Sequence, residues 1–286
     1  MKFAFFGTPD LAVNALLELE KYALVPSLVI TAPDAPVGRK QIITPPPISL
    51  WATERNIPVF QPISLKNPAA LKTLTEETWD IFVVFAYGKI MPEWLLNLPK
   101  YGTINAHPSL LPKLRGASPI RSTLLYDLAA CGVTIIQMDK EMDHGPILYQ
   151  QPTPLTEPVS GEELDKTLSH VCGDLLAYVI QELPKGNITP TPQGHTQATF
   201  CAKITKEMGE LKIDPRNLPS SEEAITIYRK ICAFAGWPET FFLYEGKRIK
   251  IKAAHLDDTG QLIITRIVPE GKNEVDFAQY LANTKV

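Results

Sequence analysis

Asn105 and His107 stand two positions apart in "INAHPSLLPKLRG" (104–116), at the end of a short apolar run. Side chains two apart on a strand project from one face, so an amide and an imidazole can converge on a single reacting group. An imidazole moves protons near neutral pH, and an asparagine offers N–H donors to a developing oxyanion. The same spacing equally suits a hydrogen-bonded strand-end histidine with no chemical role. A second stretch, "QMDKEMDHGPIL" (137–148), sets Asp143 ahead of Gly145 and Pro146. A carboxylate in such a turn can orient an imidazole and stabilise its cation, although Asp close to Gly is also ordinary turn chemistry. His144 beside it is a rival base that the turn would direct to solvent. His107, Asp143 and His144 lack a paired metal-ligand spacing such as HExxH, so no metal is expected. Gly7 opens the turn "GTPD", but neither GxGxxG nor GxxxxGK[ST] occurs, which disfavours nucleotide cofactors and phosphoryl transfer.

The elements that must hold these residues alternate. "KFAFF" reads as a buried strand, Leu11 to Lys21 as a helix and "PSLVIT" as a strand; the Pro- and Gly-rich "APDAPVGRKQIITPPP" reads as a loop. "ISLWATERN", "IPVF", the helix around "PAALKTLTE" and "DIFVVFA" repeat the pattern. "YGTINAH" continues it, followed by a helix over Ser118 to Leu128 and strands at "GVTIIQMD" and "GPILYQQ". Strands alternating with helices predict a Rossmann-like α/β fold with a mostly parallel sheet covered on both faces. Its crevice lies outside the carboxyl ends of the strands, the edge that carries Asn105 and His107.

A long helix over Gly161 to Leu183 leads into "PKGNITPTPQGHTQATF", where no amphipathic period survives. Beyond it come a helix capped by Ser220 or Ser221 and the alternating runs "TFFLYEGKRIKIKAAHL" and "GQLIITRIV", which read as antiparallel strands. The expected organisation is a catalytic domain over 1–187, a linker over 188–204 and a small C-terminal β-barrel, OB-like, over 205–286. The 286 residues, 45% hydrophobic, suffice for such cores. Cys131, Cys172, Cys201 and Cys232 stand far apart without CxxC, as reduced cytosolic thiols do. "MKFAFFGTPD" does not read as a signal peptide and no run reaches membrane-span length, so a cytoplasmic protein without membrane contact is expected. The net charge of −3 excludes wholesale coating of a nucleic acid but not a local basic footprint. Basic residues outnumber acidic ones late in the chain, between 201 and 252. Trp237, before Pro238, reads as an anchor of the helix exit rather than a base-stacking platform.

"INAHPSLLPKLRGASPI" together with "GVTIIQMDKEMDHGPIL" resembles the folate-dependent formyltransferases. Within them, "FFGTPDLAV", "TAPDAPVGRK", "IPVFQP", "AYGKIMP", "AKITKEMGELKID" and "ICAFAGWPETFF", which span nearly the whole chain, are similar to the branch that acts on methionylated initiator tRNA. The resemblance implies transfer of the formyl group of 10-formyltetrahydrofolate to the methionine α-amine for translation initiation, without a metal and by a monomer. It places catalysis on Asn105, His107 and Asp143. Folate binding falls on Ser109, Leu110, Leu111 and Pro112 and on Ala86, Tyr87, Gly88 and Ile90 of "AYGKIMP". The loop Pro33 to Pro47, with Arg39 and Lys40, matches a tRNA-contacting insertion. Relatives often read "GRGKKL" there and this chain reads "GRKQII", so two positions commonly lysine are Gln41 and Ile42 and fewer phosphate contacts are available. Lys203, Lys206, Arg248, Lys250 and Lys252 form a second candidate tRNA footprint, weighed against a solvated strand face. A sugar-nucleotide formyltransferase with the same folate donor is the alternative; a catalytically inactive tRNA-binding module is the reading from another class.

Overall fold

The computed structural model describes residues 1–38 and 40–284, and the chain divides into two compact units. One holds Met1–Pro119, Ala130–Thr153 and Asp165–Cys201; the other holds Ile120–Ala129, Pro154–Leu164 and the chain from Ala202 onward. The stretch expected to be a linker is thus bonded into the first unit as far as Cys201. In chain order its strands are Phe3–Phe6 (β1), Leu28–Ile30 (β2), Ala35–Val37 (β3), Ile42–Thr44 (β4), Val59–Phe60 (β5) and Ile81–Val84 (β6). They continue with Thr103–His107 (β7), Arg115–Gly116 (β8), Gly132–Gln137 (β9), Ile147–Pro152 (β10) and Phe200–Cys201 (β11).

Seven of these strands form the central sheet, in the order β10-β9-β7-β6-β1-β2-β5. β5, β2, β1, β6 and β7 run parallel, while β9 is antiparallel to β7 and β10 to β9. All four side chains of β1 and of β6 are buried, as central strands covered on both faces require. Phe6 packs edge-on against Phe82 and Tyr87, with centroids 5.1 and 5.5 Å away; such pairs contribute about 0.5–1.5 kcal/mol beyond area burial.

Helices Asp10–Lys21 (α1), Pro47–Glu54 (α2), Lys72–Thr75 (α3), Glu93–Leu96 (α4), Pro119–Tyr126 (α5) and Gly161–Glu182 (α6) follow the strands. α1 buries Ala12, Ala15, Leu16 and Leu19, the three-to-four spacing of one helical face. It lies so close to α6 that a Cβ on Gly173 would sit 2.5 Å from the Cβ of Glu18 and 2.6 Å from the oxygen of Ala15. Within the Pro- and Gly-rich loop, two short strands form. β3 and β4 pair as an antiparallel hairpin whose Val37, Ile42 and Ile43 stand in solvent.

The second unit contains Ser221–Ala233 (α7), the strands Phe241–Tyr244 (β12), Lys247–Leu256 (β13), Leu262–Pro269 (β14) and Val275–Asp276 (β15), and Phe277–Asn283 (α8). The strands are antiparallel in the order β12-β13-β14-β15. Among the described residues their ladders form an open sheet, to which isolated bridges at Glu210–Phe241 and Ser220–Gln261 add. Phe242, Ile249, Ile251, Leu262, Ile264 and Ile267 form its core with α7 and α8. Glu245 and Gly246 both have positive φ, 50° and 73°, the backbone of the tightest hairpin turn. Two local expectations change here. The side chain of Ser220 makes no capping bond to α7, and Phe234, fully buried, anchors the exit of α7 while Trp237 is half exposed. All four cysteines are free thiols. No helix among the described residues is long and apolar enough to cross a membrane.

Candidate active site

Asn105 and His107 end β7, where Asn105 pairs with Val84 of β6 and with Ile136 of β9, and His107 pairs with Thr134. The strand ladder therefore fixes the backbone of both residues, and their two-residue spacing puts both side chains on one face. Asn105 is half buried, and its side-chain amide has no hydrogen-bond partner among the described residues. A half-buried donor left free by the fold is available to a substrate oxygen.

His107 is only 4% exposed. Its Nε2 lies 2.9 Å from the carbonyl oxygen of Leu114; a carbonyl only accepts, so Nε2 carries the proton and Nδ1 the lone pair. Nδ1 faces Oδ1 of Asp143 at 3.5 Å. That separation is longer than a hydrogen bond, so the Leu114 carbonyl sets the ring and Asp143 waits on the opposite nitrogen. The Leu114 carbonyl is thus a contact to the ring beyond the carboxylate expected from sequence. The ring nitrogen left open by the Leu114 contact is Nδ1, and it faces that carboxylate.

Asp143 reaches this place from a strained turn. Its φ is +52°, a conformation Asp tolerates better than most residues, and its Oδ2 accepts the N–H of Gly116 at 2.8 Å. Two positions on, a Cβ at Gly145 would fall 1.8 Å from the oxygen of Gln137, so only glycine lets the turn close onto β9. His144 is not simply solvated: Nδ1 lies 2.7 Å from Oδ2 of Asp139, and the ring stacks on His195 at 4.1 Å.

The "SLLP" segment is rigid. Ser109 is fully buried; its hydroxyl donates to the oxygen of Lys113 at 2.6 Å, and its own carbonyl accepts from Thr134 Oγ1 at 2.6 Å. The N–H of Leu111 donates to Thr134 Oγ1 at 3.1 Å, and Gln150 Nε2 donates to the oxygen of Leu111 at 2.9 Å. Leu110 packs against Gly132, and the Leu111–Pro112 peptide is cis. These groups are satisfied internally, so they shape a wall instead of offering free donors. Thr134 and Gln150, which hold that wall, carried no signal in their own sequence surroundings.

Ala86, Tyr87, Gly88 and Ile90 follow the end of β6, whose Val84 pairs with Asn105. Ala86 and Gly88 have φ of +51° and +77°. Tyr87 is buried with its hydroxyl unpartnered, and burial pushes its phenol up to about 12. Ile90 projects into solvent.

Of the expected tRNA contacts, Arg39 lies outside the described residues and Lys40 is exposed beside the tip of the β3–β4 hairpin. Lys203 and Lys206 are exposed in the second unit. β13 carries Arg248, Lys250 and Lys252 at alternate positions, but Glu239 pairs with both lysines, with Lys252 at 2.8 Å. The Arg248 guanidinium lies over the Phe241 ring at 3.6 Å. Much of the charge on that face is therefore neutralised locally. Among the described residues no group of three or more His, Cys, Asp or Glu is placed to hold a metal.

Residues 1–180 match the family model described as formyl transferase, and residues 203–278 match the formyl transferase C-terminal domain. A methionyl-tRNA formyltransferase from Caldicellulosiruptor saccharolyticus is 40% identical over 88% of this chain and 78% of its own length. The chain belongs to the methionyl-tRNA formyltransferase family. Another member, from Listeria monocytogenes, is 38% identical across 98% of this chain and 95% of that one. Among solved structures, the methionyl-tRNA formyltransferase from Clostridium thermocellum superposes with a TM-score of 0.62 at 17% identity, covering 96% of this chain and 99% of that one. An N-formyltransferase from Helicobacter canadensis, in complex with folinic acid and dTDP-3-aminofucose, does so at 0.68 and 18%, covering 94% and 100%. At that identity the two structures speak for the fold, which tRNA-directed and sugar-directed formyltransferases share. The chain is thus a formyltransferase, with the α/β domain and antiparallel second domain of its family.

Proposed function

We propose that the protein transfers the formyl group of 10-formyltetrahydrofolate to the α-amine of methionine on initiator tRNA, with Asn105, His107 and Asp143 as its catalytic residues. The observation that carries the chemistry is the end of β7, where a free Asn105 amide stands on the face of a buried His107 whose Nδ1 looks at Asp143. The amine nitrogen attacks the formyl carbon, and the carbonyl oxygen becomes an oxyanion. Asn105 Nδ2 donates to that oxygen, and a donor preorganised for the charged species lowers the barrier more than it tightens the ground state. The nitrogen sheds a proton to the His107–Asp143 pair, which has one vacant proton position between Nδ1 and Oδ1. As the bond from carbon to N10 breaks, that proton passes to N10, leaving tetrahydrofolate and formylmethionyl-tRNA. Charge and proton move through side chains alone.

Ser109 to Pro112 and the 86–90 loop are the proposed folate walls. Lys40, with Arg39, and Lys203, Lys206, Arg248 and Lys250 are the proposed tRNA contacts. The curated relatives at 33–40% identity, each matched over most of this chain, are methionyl-tRNA formyltransferases, which favours the tRNA as acceptor. Release of tetrahydrofolate with methionylated initiator tRNA, methionylated elongator tRNA and a dTDP-linked amino sugar, assayed side by side, tests this. Release is expected with the initiator tRNA; turnover confined to the amino sugar nucleotide would overturn the reading.

A further inference from the structure

Asp143 is held from two directions, and only one of them is its carboxylate. Gln193, buried, donates from Nε2 to the carbonyl oxygens of Asp143 at 3.0 Å and Gly145 at 2.7 Å. Its Oε1 accepts from Arg115 Nε at 3.2 Å and Nη2 at 2.6 Å. A flipped amide would aim its NH2 at a guanidinium and its oxygen at two carbonyls, so one orientation is enforced. Arg115 is itself only 4% exposed, and its further hydrogen bond goes to Nδ1 of His195 at 2.8 Å. Arg115 only donates, so Nδ1 of that histidine accepts. No carboxylate pairs with Arg115 among the described residues. A buried cation without a paired carboxylate is costly, and here its field polarises the amide that grips the turn.

Arg115 and Gly116 form β8, and Gly116 is the donor to the Asp143 carboxylate. The chain around Gln193 is fastened alongside: Thr191 and Ile147 exchange both backbone bonds at 2.8 Å, the N–H of Arg115 donates to the oxygen of Thr199 at 2.9 Å, and β11 pairs with β8. A Cβ on Gly116 would lie 2.3 Å from the oxygen of Cys201, which shows how closely the two segments meet. A turn with a non-glycine residue at positive φ persists only where its surroundings over-determine it.

We propose that Gln193, locked in one amide orientation by Arg115, is a positioning residue for formyl transfer: it holds the Asp143 turn so that the carboxylate stands at Nδ1 of His107. The proposal rests on the catalytic reading above. Two variants test it. Gln193→Leu removes donors and acceptor; Gln193→Glu keeps a partner for Arg115 but sets an acceptor against the two carbonyls. For both, kcat for formylation of methionylated initiator tRNA is expected to fall roughly tenfold or more. KM for each substrate should stay within about twofold. In an Asp143→Asn background the same changes should cost less than about twofold, because residues acting through one group are not additive. Circular dichroism shows which variants are folded, and Gln193→Glu carries the test if Gln193→Leu does not fold. Active wild type with folded variants within about twofold of its kcat overturns the positioning role and leaves the functional reading standing, as does a loss undiminished in the Asp143→Asn background. Wild type inactive on the tRNA overturns that reading, and the proposal with it.

Discussion

The surroundings of His107 and the β3–β4 hairpin solve opposite problems. At His107, the Leu114 carbonyl holds one ring nitrogen, Gly116 holds the Asp143 carboxylate, and Thr134 ties down Ser109 and Leu111. The hairpin presents Lys40 with Ile42 and Ile43, 60% and 63% exposed, and the bonds at its tip are internal, from Gln41 to the oxygen of Gly38. Reacting groups must stand within fractions of an ångström of their geometry, so order there is built in beforehand. A surface proposed to meet a large polyanion can take its final shape on contact. β13 lies between the two: its lysines are on a regular strand, yet Glu239 already occupies them.

Catalytic substitutions should give the largest effects. Asp143→Asn or His107→Ala is expected to lower kcat by roughly 10²–10⁴-fold, Asp143→Asn with little change in thermal unfolding; steady-state formylation that stays within threefold of wild type would place the chemistry elsewhere. The same change of glycine to alanine then probes both regions. Gly145→Ala drives a Cβ to 1.8 Å from the oxygen of Gln137 and should cost about 3 kcal/mol in denaturant unfolding, with a loss of kcat. Gly38→Ala, at φ +69° in open space, should cost only about 1–2 kcal/mol of local backbone strain. Equal costs would erase the contrast.

Away from both regions, Glu18 of α1 is 5% exposed and bonded to Lys21 and His170. Burial pushes its carboxyl up, but those bonds together outweigh it and leave the pKa below the ordinary value. A lowered folded-state pKa contributes stability above the unfolded value, lost as pH falls through the lowered one. Glu18→Gln should therefore destabilise by about 1–2 kcal/mol at neutral pH and converge with wild type in acid; urea titrations at several pH values would reveal a constant gap if this is wrong. The hairpin should show the smallest effect. Lys40→Ala is expected to reduce the salt slope of tRNA binding by about one unit with kcat unchanged, and an unaltered slope would remove Lys40 from the interface.

The strands around Asn105 and His107 were legible because buried strands announce themselves: "KFAFF" and "DIFVVFA" are apolar on both faces. The reversal of β9 was not, since a strand carries no mark of direction. The proposed catalytic trio stood out through residue type and resemblance, but its supports did not. A backbone carbonyl such as that of Leu114 has no identity in sequence, and Gln193 meets Arg115 from 78 residues away inside a stretch whose composition reads as a linker. Likewise, the basic alternation of β13 was visible, whereas its neutralisation needs Glu239, placed by the fold just before β12.

The central claim is that the Asn105 amide stabilises the formyl oxygen while the His107–Asp143 pair moves the proton. The most direct test is single-turnover formylation of methionylated initiator tRNA, with enzyme and 10-formyltetrahydrofolate in excess, comparing wild type with Asn105→Ala. Loss of an oxyanion donor predicts a rate lower by roughly 10²–10³-fold with tRNA binding unchanged; a rate within threefold of wild type would contradict it.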